Sequence, residues 1–186
     1  DQYRVQSLGF LNEDPVKTPN LDRLASEGMY CENAVSCMPL SSPYRGMLMT
    51  GKYPHNNHIR TNCNTYANQF GTYLREDETC ISDVLKAGGY YCGYIGKWHL
   101  DAPERHGFEY WCSYGCHNRH MNPYYWINDA TVNDTTYAHK WGPEFEADKA
   151  IDFITAKGTA KKREQSKPWA LFVSINPPHG PYNQVP

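Results

Sequence analysis

The sequence predicts an α/β fold, a mostly parallel sheet layered with helices. Two runs of nearly continuous apolar residues, Tyr90–Ile95 and Trp169–Ile175, have the composition of strands buried on both faces. Amphipathic helical segments alternate with them, as a layered sheet requires. Each run also stops at residues that carry chemistry, Gly96-Lys97-Trp98-His99 and Asn176-Pro177-Pro178-His179. Ligands in such folds sit at the carboxyl ends of strands.

The elements follow in order. Thr18-Pro19-Asn20 opens a helix with a polar cap and a proline in its first turn; Leu21 and Leu24 share a face, and Gly28 ends it. Met29 to Val35 reads as an extended segment. Residues 36–45 are rich in Ser and Pro and read as a turn, after which Gly46 to Thr50 form an apolar helical turn. A helix is expected over Thr79–Ala87, closed by Gly88-Gly89, and the first strand run follows at once. From about Asp101 to Trp141 periodicity fades into a stretch of aromatics, Asn and His, too aromatic for disorder and therefore a long functional loop. Residues 143–157 form an amphipathic helix with Phe145, Ala147, Ile151 and Ile154 on the apolar face and Glu146, Asp148 and Lys149 on the polar one.

Composition narrows the class. A chain of 186 residues suits one domain, and 40% hydrophobic with 20% charged residues is globular. Net charge is −2, and the densest basic stretch, Lys161–Arg163, adjoins Glu164 and reads as a solvated helix end. Nucleic acid is not an expected partner, and no apolar run has the length of a membrane span. The chain starts at Asp1 in mid-pattern, so the lack of a signal peptide is uninformative. Seven cysteines are present; Cys112 and Cys116 with His117 and His120 are packed too tightly for a structural zinc. One or two disulfides, or plain buried thiols, are expected instead.

The chemistry concentrates in Ser41-Ser42-Pro43-Tyr44-Arg45 with Thr50-Gly51 following. Read alone, this is a serine at the mouth of a turn with an arginine four residues on, an arrangement that favours an anion; an ordinary loop capping a helix would look the same. The segment resembles the sulfatase family signature: Cys or Ser, any residue, Pro, any residue, Arg, then Thr-Gly at fixed distance. Ser41, Pro43, Arg45, Thr50 and Gly51 fill every fixed place. DQYRVQSLG, VKTPNLDRLASEG, GYIGKWHLD, PERHGFEYW, ADKAIDFI and PPHGPY resemble further sulfatase blocks, in family order and across the whole chain.

The resemblance implies an alkaline phosphatase-like fold, α/β with a mixed, mostly parallel sheet sandwiched by helices, and a sulfuric ester hydrolase. It implies that a formylglycine-generating maturation enzyme oxidises Ser41 to an aldehyde, whose hydrate attacks sulfur and then expels sulfate. Arg45 would hold the formylglycine, Lys97 the sulfate, His99 the diol, and His179 would protonate the leaving oxygen. Calcium is the implied ion, with Asp1 as one ligand and Gln2 at or beside a second place; an Asp/Asn pair and another lysine would follow Pro186. Residues 1–186 then read as an incomplete sulfatase catalytic domain, its first strand before residue 1 and its carboxyl-terminal half after residue 186. A periplasmic or secreted location is expected.

For the substrate, His117, Asn118, Arg119 and His120, followed by Tyr124, Tyr125 and Trp126, combine stacking faces with hydrogen-bonding groups. The same residues also suit a loop core. The segment resembles that of bacterial sulfatases acting on sulfated glycans, which points to a sulfated saccharide. Two other readings stay open: a phosphonate or phosphodiester hydrolase of the same superfamily, and an inactive homologue that only binds glycans.

Overall fold

The computed structural model describes residues 2–63, 72–101, 105–130 and 133–186. A five-stranded mixed sheet forms its centre, built from β1 (Tyr91–Lys97), β2 (Tyr110–Tyr114), β3 (Tyr124–Ile127), β4 (Thr136–Tyr137) and β5 (Trp169–Ser174). The order is β4-β3-β2-β1-β5. β1 pairs in parallel with both β2 and β5, while β3 and β4 add antiparallel pairings on one side. The apolar character of β1 follows from its central place, with both faces covered.

Side chains alternate across the sheet and sort into two cores. Cys92, Tyr94 and Trp111 join Trp98, Phe108, Met49 and Ile59 on one face. Ile95, Tyr110, Cys112 and Tyr114 join Tyr125, Phe145 and Phe153 on the other. The first core is largely aromatic: Tyr94 stacks on Trp111 with centroids 5.4 Å apart, and Trp98 meets Tyr94 edge-on at 5.0 Å. The second lies under α4 (Gly142–Thr155), which reaches the sheet at Gly93; a Cβ there would strike the Phe153 ring and Leu171. Helices α1 (Pro19–Glu27), α2 (Ser41–Thr50) and α3 (Ile81–Ala87) precede the sheet in sequence. No helix among the described residues is long and apolar enough to cross a membrane.

Several expectations are corrected. Met29 to Val35 is extended only in part, broken by a turn at residues 32–33, and Met29 and Val35 are almost fully exposed. Leu21 and Leu24 do share a helix, but both are exposed. The serine- and proline-rich turn is helical from Ser41, with Leu40 as the extended residue before it. Pro43 is tolerated because the first turn of a helix has no use for its N–H. The stretch from Asp101 to Trp141 is not a structureless loop but contains β2, β3 and β4, each too short to declare a period. All seven cysteines are free, so of the two expectations the disulfides are not formed; Cys63, Cys80, Cys92 and Cys112 are buried thiols, while Cys31 and Cys37 are exposed and Cys116 is half-buried.

The phase of α4 is also corrected. Ala147, Ile151 and Ile154 face outward, whereas Glu146 is buried at 2% exposure beside Phe145. The Tyr125 hydroxyl donates to Glu146 Oε1 at 2.9 Å, and Oε2 has no hydrogen-bond partner among the described residues. Burial raises the Glu146 pKa to about 8. The folded protein therefore keeps a proton that the unfolded chain releases between pH about 4.5 and about 8, and stability falls as pH rises through that window. Glu146→Gln keeps a neutral group in place. Its urea midpoint should match the parent at pH ~5 and exceed it at pH ~8.5; an equal loss at both values would show that Glu146 is not held as the neutral acid.

Candidate active site

Three segments meet at the carboxyl end of the sheet: the first turn of α2, the end of β1, and the loop after β5. Ser41 is the first residue of α2, and Arg45 lies one turn on, so helix geometry sets the guanidinium beside the hydroxyl. Arg45 Nε donates to Ser41 Oγ at 3.2 Å. Nη1 donates to the Tyr94 hydroxyl at 3.2 Å, the Lys97 carbonyl at 2.7 Å and Ser174 Oγ at 2.6 Å. These three acceptors are neutral and belong to β1 and β5. They fasten a buried cation across two strand ends without cancelling its charge.

Ser41 Oγ has a second neighbour, His99 Nδ1, at 3.0 Å. His99 stands in the left-handed region at φ 55°, where residues other than glycine are uncommon. Its backbone is held from both sides: its N–H donates to the Gly115 carbonyl at 3.2 Å, and its carbonyl accepts from Ser42 Oγ at 2.6 Å. Ser42 Oγ in turn accepts from the Cys63 N–H at 3.0 Å. Burial, then the charges of Lys97 and Arg45, lower the His99 pKa to about 4. The ring is thus neutral near pH 7.

Lys97 closes β1 and is only 2% exposed. Its ammonium donates to Asn176 Oδ1 at 3.3 Å. Burial, and secondarily the Arg45 charge, lower its pKa to about 8, while Cys116 acts in the opposite direction. Asn176 is itself buried and donates through Nδ2 to the His117 carbonyl at 3.3 Å and to Asn118 Oδ1 at 3.2 Å. It links the lysine to the aromatic segment.

The proposed saccharide residues occupy different settings. His117 is packed against Tyr114 and Tyr124, with centroids 4.1 Å and 4.3 Å away, and burial lowers its pKa to about 4. Asn118 and Arg119 are exposed; the Arg119 guanidinium lies 5.7 Å from the Tyr137 ring centroid. His120 is buried, with Nε2 2.7 Å from the His179 carbonyl oxygen, while the His179 ring places Nδ1 2.7 Å from the Gly180 carbonyl oxygen.

The structure therefore brings Ser41, Arg45, Lys97 and His99 into one centre and connects His117 and Asn118 to it through Asn176. His179 joins His120 in the loop after β5. Asp1 lies outside the described residues. Sequence reasoning missed Ser42, Tyr94, Ser174 and Asn176; the position of Asn176 directly after the apolar run Trp169–Ile175 was the one available signal.

The arrangement suits a tetrahedral anion. Two buried cations and a helix amino terminus surround a hydroxyl at hydrogen-bond distance from a neutral imidazole. Calcium needs oxygen ligands. The potential metal group found among the described residues, Cys80, Asp83 and His106, includes a thiol and shares no residue with this centre. No group of three such side chains lies at the Ser41 centre among the described residues.

Comparison with known proteins agrees with the geometry. The family model for Sulfatase matches residues 1–186. An endo-4-O-sulfatase of Bacteroides thetaiotaomicron is 37% identical over 100% of this chain, and an ulvan-active sulfatase of Formosa agariphila is 34% identical over the same share. The chain spans only 42% and 35% of those two proteins. The crystal structure of a sulfatase from Bacteroides fragilis, yidJ, superposes with a TM-score of 0.91 at 44% identity, covering 100% of this chain and 44% of that one. With the signature residues gathered at the carboxyl end of a mixed α/β sheet, the chain belongs to the sulfatase family and has its alkaline phosphatase-like fold.

Proposed function

We propose that the whole protein releases sulfate from a sulfated carbohydrate through a formylglycine made from Ser41. The observation that carries this is the placement of Ser41 Oγ between Arg45 Nε and His99 Nδ1, beside buried Lys97. A maturation enzyme would remove two hydrogens from the Ser41 side chain and leave an aldehyde, which water converts to a geminal diol. One diol oxygen attacks sulfur and the ester oxygen leaves with the alcohol. Loss of the proton from the second hydroxyl then re-forms the aldehyde as the carbon–oxygen bond to sulfate breaks.

Each residue has a role that its setting supports. Arg45 is anchored through Nη1 and turns Nε to the reacting side chain, so its charge needs no reorganisation during the reaction. Lys97 supplies a cation for the nonbridging sulfate oxygens. His99, neutral because of burial, can take a proton from a diol hydroxyl. His179, on the loop after β5, is assigned as the acid for the leaving oxygen. Calcium, with Asp1 among its ligands, is proposed on the family resemblance alone.

The names of the endo-4-O-sulfatase and ulvan-active relatives support a sulfated polysaccharide or glycosaminoglycan fragment as substrate. His117, Asn118, Arg119 and His120 are proposed to line its binding face, Asn118 and Arg119 by contact and the two histidines by shaping the wall. A periplasmic or secreted location suits a substrate of that size.

The Ser41 peptide from protein made in its native host should weigh two hydrogens less than the unmodified sequence; an unmodified serine in fully active enzyme would overturn the mechanism. In the full-length protein, Lys97→Ala and His99→Ala should lower sulfate release by ~10³-fold or more while circular dichroism stays unchanged. Near-normal turnover by either variant would remove that residue from the mechanism.

The lowered Lys97 pKa gives a further expectation. Above about 8 the ammonium loses its proton, so kcat/KM, which reports the free enzyme, should decline as pH rises through that value. Lys97→Arg should retain some activity and lose this alkaline limb. The same limb persisting in Lys97→Arg would assign it to another group.

A further inference from the structure

A second cluster shares no residue with the Ser41 centre. Cys80 caps α3 and Asp83 lies in its first turn, joined by reciprocal bonds: Cys80 Sγ accepts from the Asp83 N–H, and Asp83 Oδ2 accepts from the Cys80 N–H at 2.8 Å. His106 belongs to the turn before β2 and is drawn onto the helix by the Ser82 hydroxyl, which donates to its carbonyl. One ligand atom from each of Cys80, Asp83 and His106 lies within 4.8 Å of the others.

The His106 ring is the part that ordinary packing leaves unexplained. Its side chain is 3% exposed, yet neither ring nitrogen is hydrogen-bonded among the described residues. Nε2 is sealed from solvent without a partner. Nδ1 is turned to Asp83 Oδ2 at 3.7 Å, too far for a hydrogen bond. Two ligands of one tetrahedral ion, each ~2.0–2.2 Å from it, stand ~3.3–3.6 Å apart, so the gap suits an ion better than a proton. An ion on Nδ1 would give that nitrogen a closer partner than Asp83 Oδ2 and would leave Nε2 as it is.

The backbone holds the turn in this position. His106 has φ 43° and Gly107 φ 79°, and a Cβ at Gly107 would press on the Ser82 carbonyl and on Asp83. A cavity of about 490 Å³ reaches Asp83 and His106 past Glu76, Asp77 and Glu78, leaving room for water; Glu78 is paired with Lys52 and Arg75, and Asp77 with Arg75.

We propose that Cys80, Asp83 and His106 bind a divalent cation of the zinc class as thiolate, carboxylate and imidazole, with water as the fourth ligand. The thiol proton passes to solvent on binding. A sulfur and a nitrogen ligand select such an ion over calcium. The ion pins the start of α3 to the turn that leads into β2, a structural role independent of sulfate chemistry.

The test uses full-length protein stripped with a chelator, returned to calcium-containing buffer with a phosphine reductant, and titrated with cobalt(II). One cobalt per chain should give a near-ultraviolet sulfur-to-cobalt charge-transfer band together with the visible bands of a tetrahedral site, and zinc should abolish both. Cys80→Ser keeps a favoured helix cap and should fold, but without the charge-transfer band. Asp83→Asn and His106→Gln should each weaken cobalt binding by about tenfold or more, and Cys116→Ser should leave it unchanged. Absence of the band from the parent protein, or its persistence in Cys80→Ser, overturns the proposal.

Discussion

The burial of Arg45 is the constraint on which the centre depends. A guanidinium removed from water must be surrounded by acceptors, and here they include the Tyr94 hydroxyl, the last carbonyl of β1 and the hydroxyl of Ser174. Those groups lie together only because β1 and β5 run parallel in a register that sets Gly96 opposite Ser174. Gly96, at φ 95°, has no side chain to push against the Ser174 carbonyl. Sheet register, strand-end chemistry and the first turn of α2 are thus parts of one arrangement.

A positive field follows from it. Lys97 shares the same low-dielectric region, and its pKa is lowered first by burial and second by the Arg45 charge. His99 responds in the same way and stays neutral. Uncharged, the ring can act as a proton acceptor beside two cations, a role closed to an imidazolium. Two cations and a neutral imidazole held in place by the fold suit an anionic group.

Much of this was legible in the sequence, for physical reasons that differ between elements. β1 declared itself because a strand covered on both faces must be apolar throughout; the β5 run is equally apolar, but burial on both faces is not the reason, since β5 lies at the edge of the described sheet with Trp169 and Val173 exposed. Ser41, Arg45, Lys97 and His99 were legible through the resemblance to sulfatase motifs; read alone, the serine and arginine suit an ordinary loop capping a helix. β2, β3 and β4 were not, since they are short and depend on partners elsewhere in the chain. The α4 face was read in the wrong phase because Glu146 is buried through Tyr125, 21 residues away. Ser42 and Asn176 are ordinary residue types whose importance lies in contacts 57 and 59 residues distant, which no local pattern reports.

Asn176 also bears on how such a centre diversifies. Its amide spans from Lys97 to the segment at residues 117–118, and one of its two bonds there ends on a main-chain oxygen, that of His117. A backbone carbonyl is present whatever side chain is attached to it. Side chains of that segment can therefore change while the carbonyl that holds the amide, and through it the ammonium, stays in place. If the segment contacts the sugar as proposed, its specificity is free to vary without disturbing the lysine.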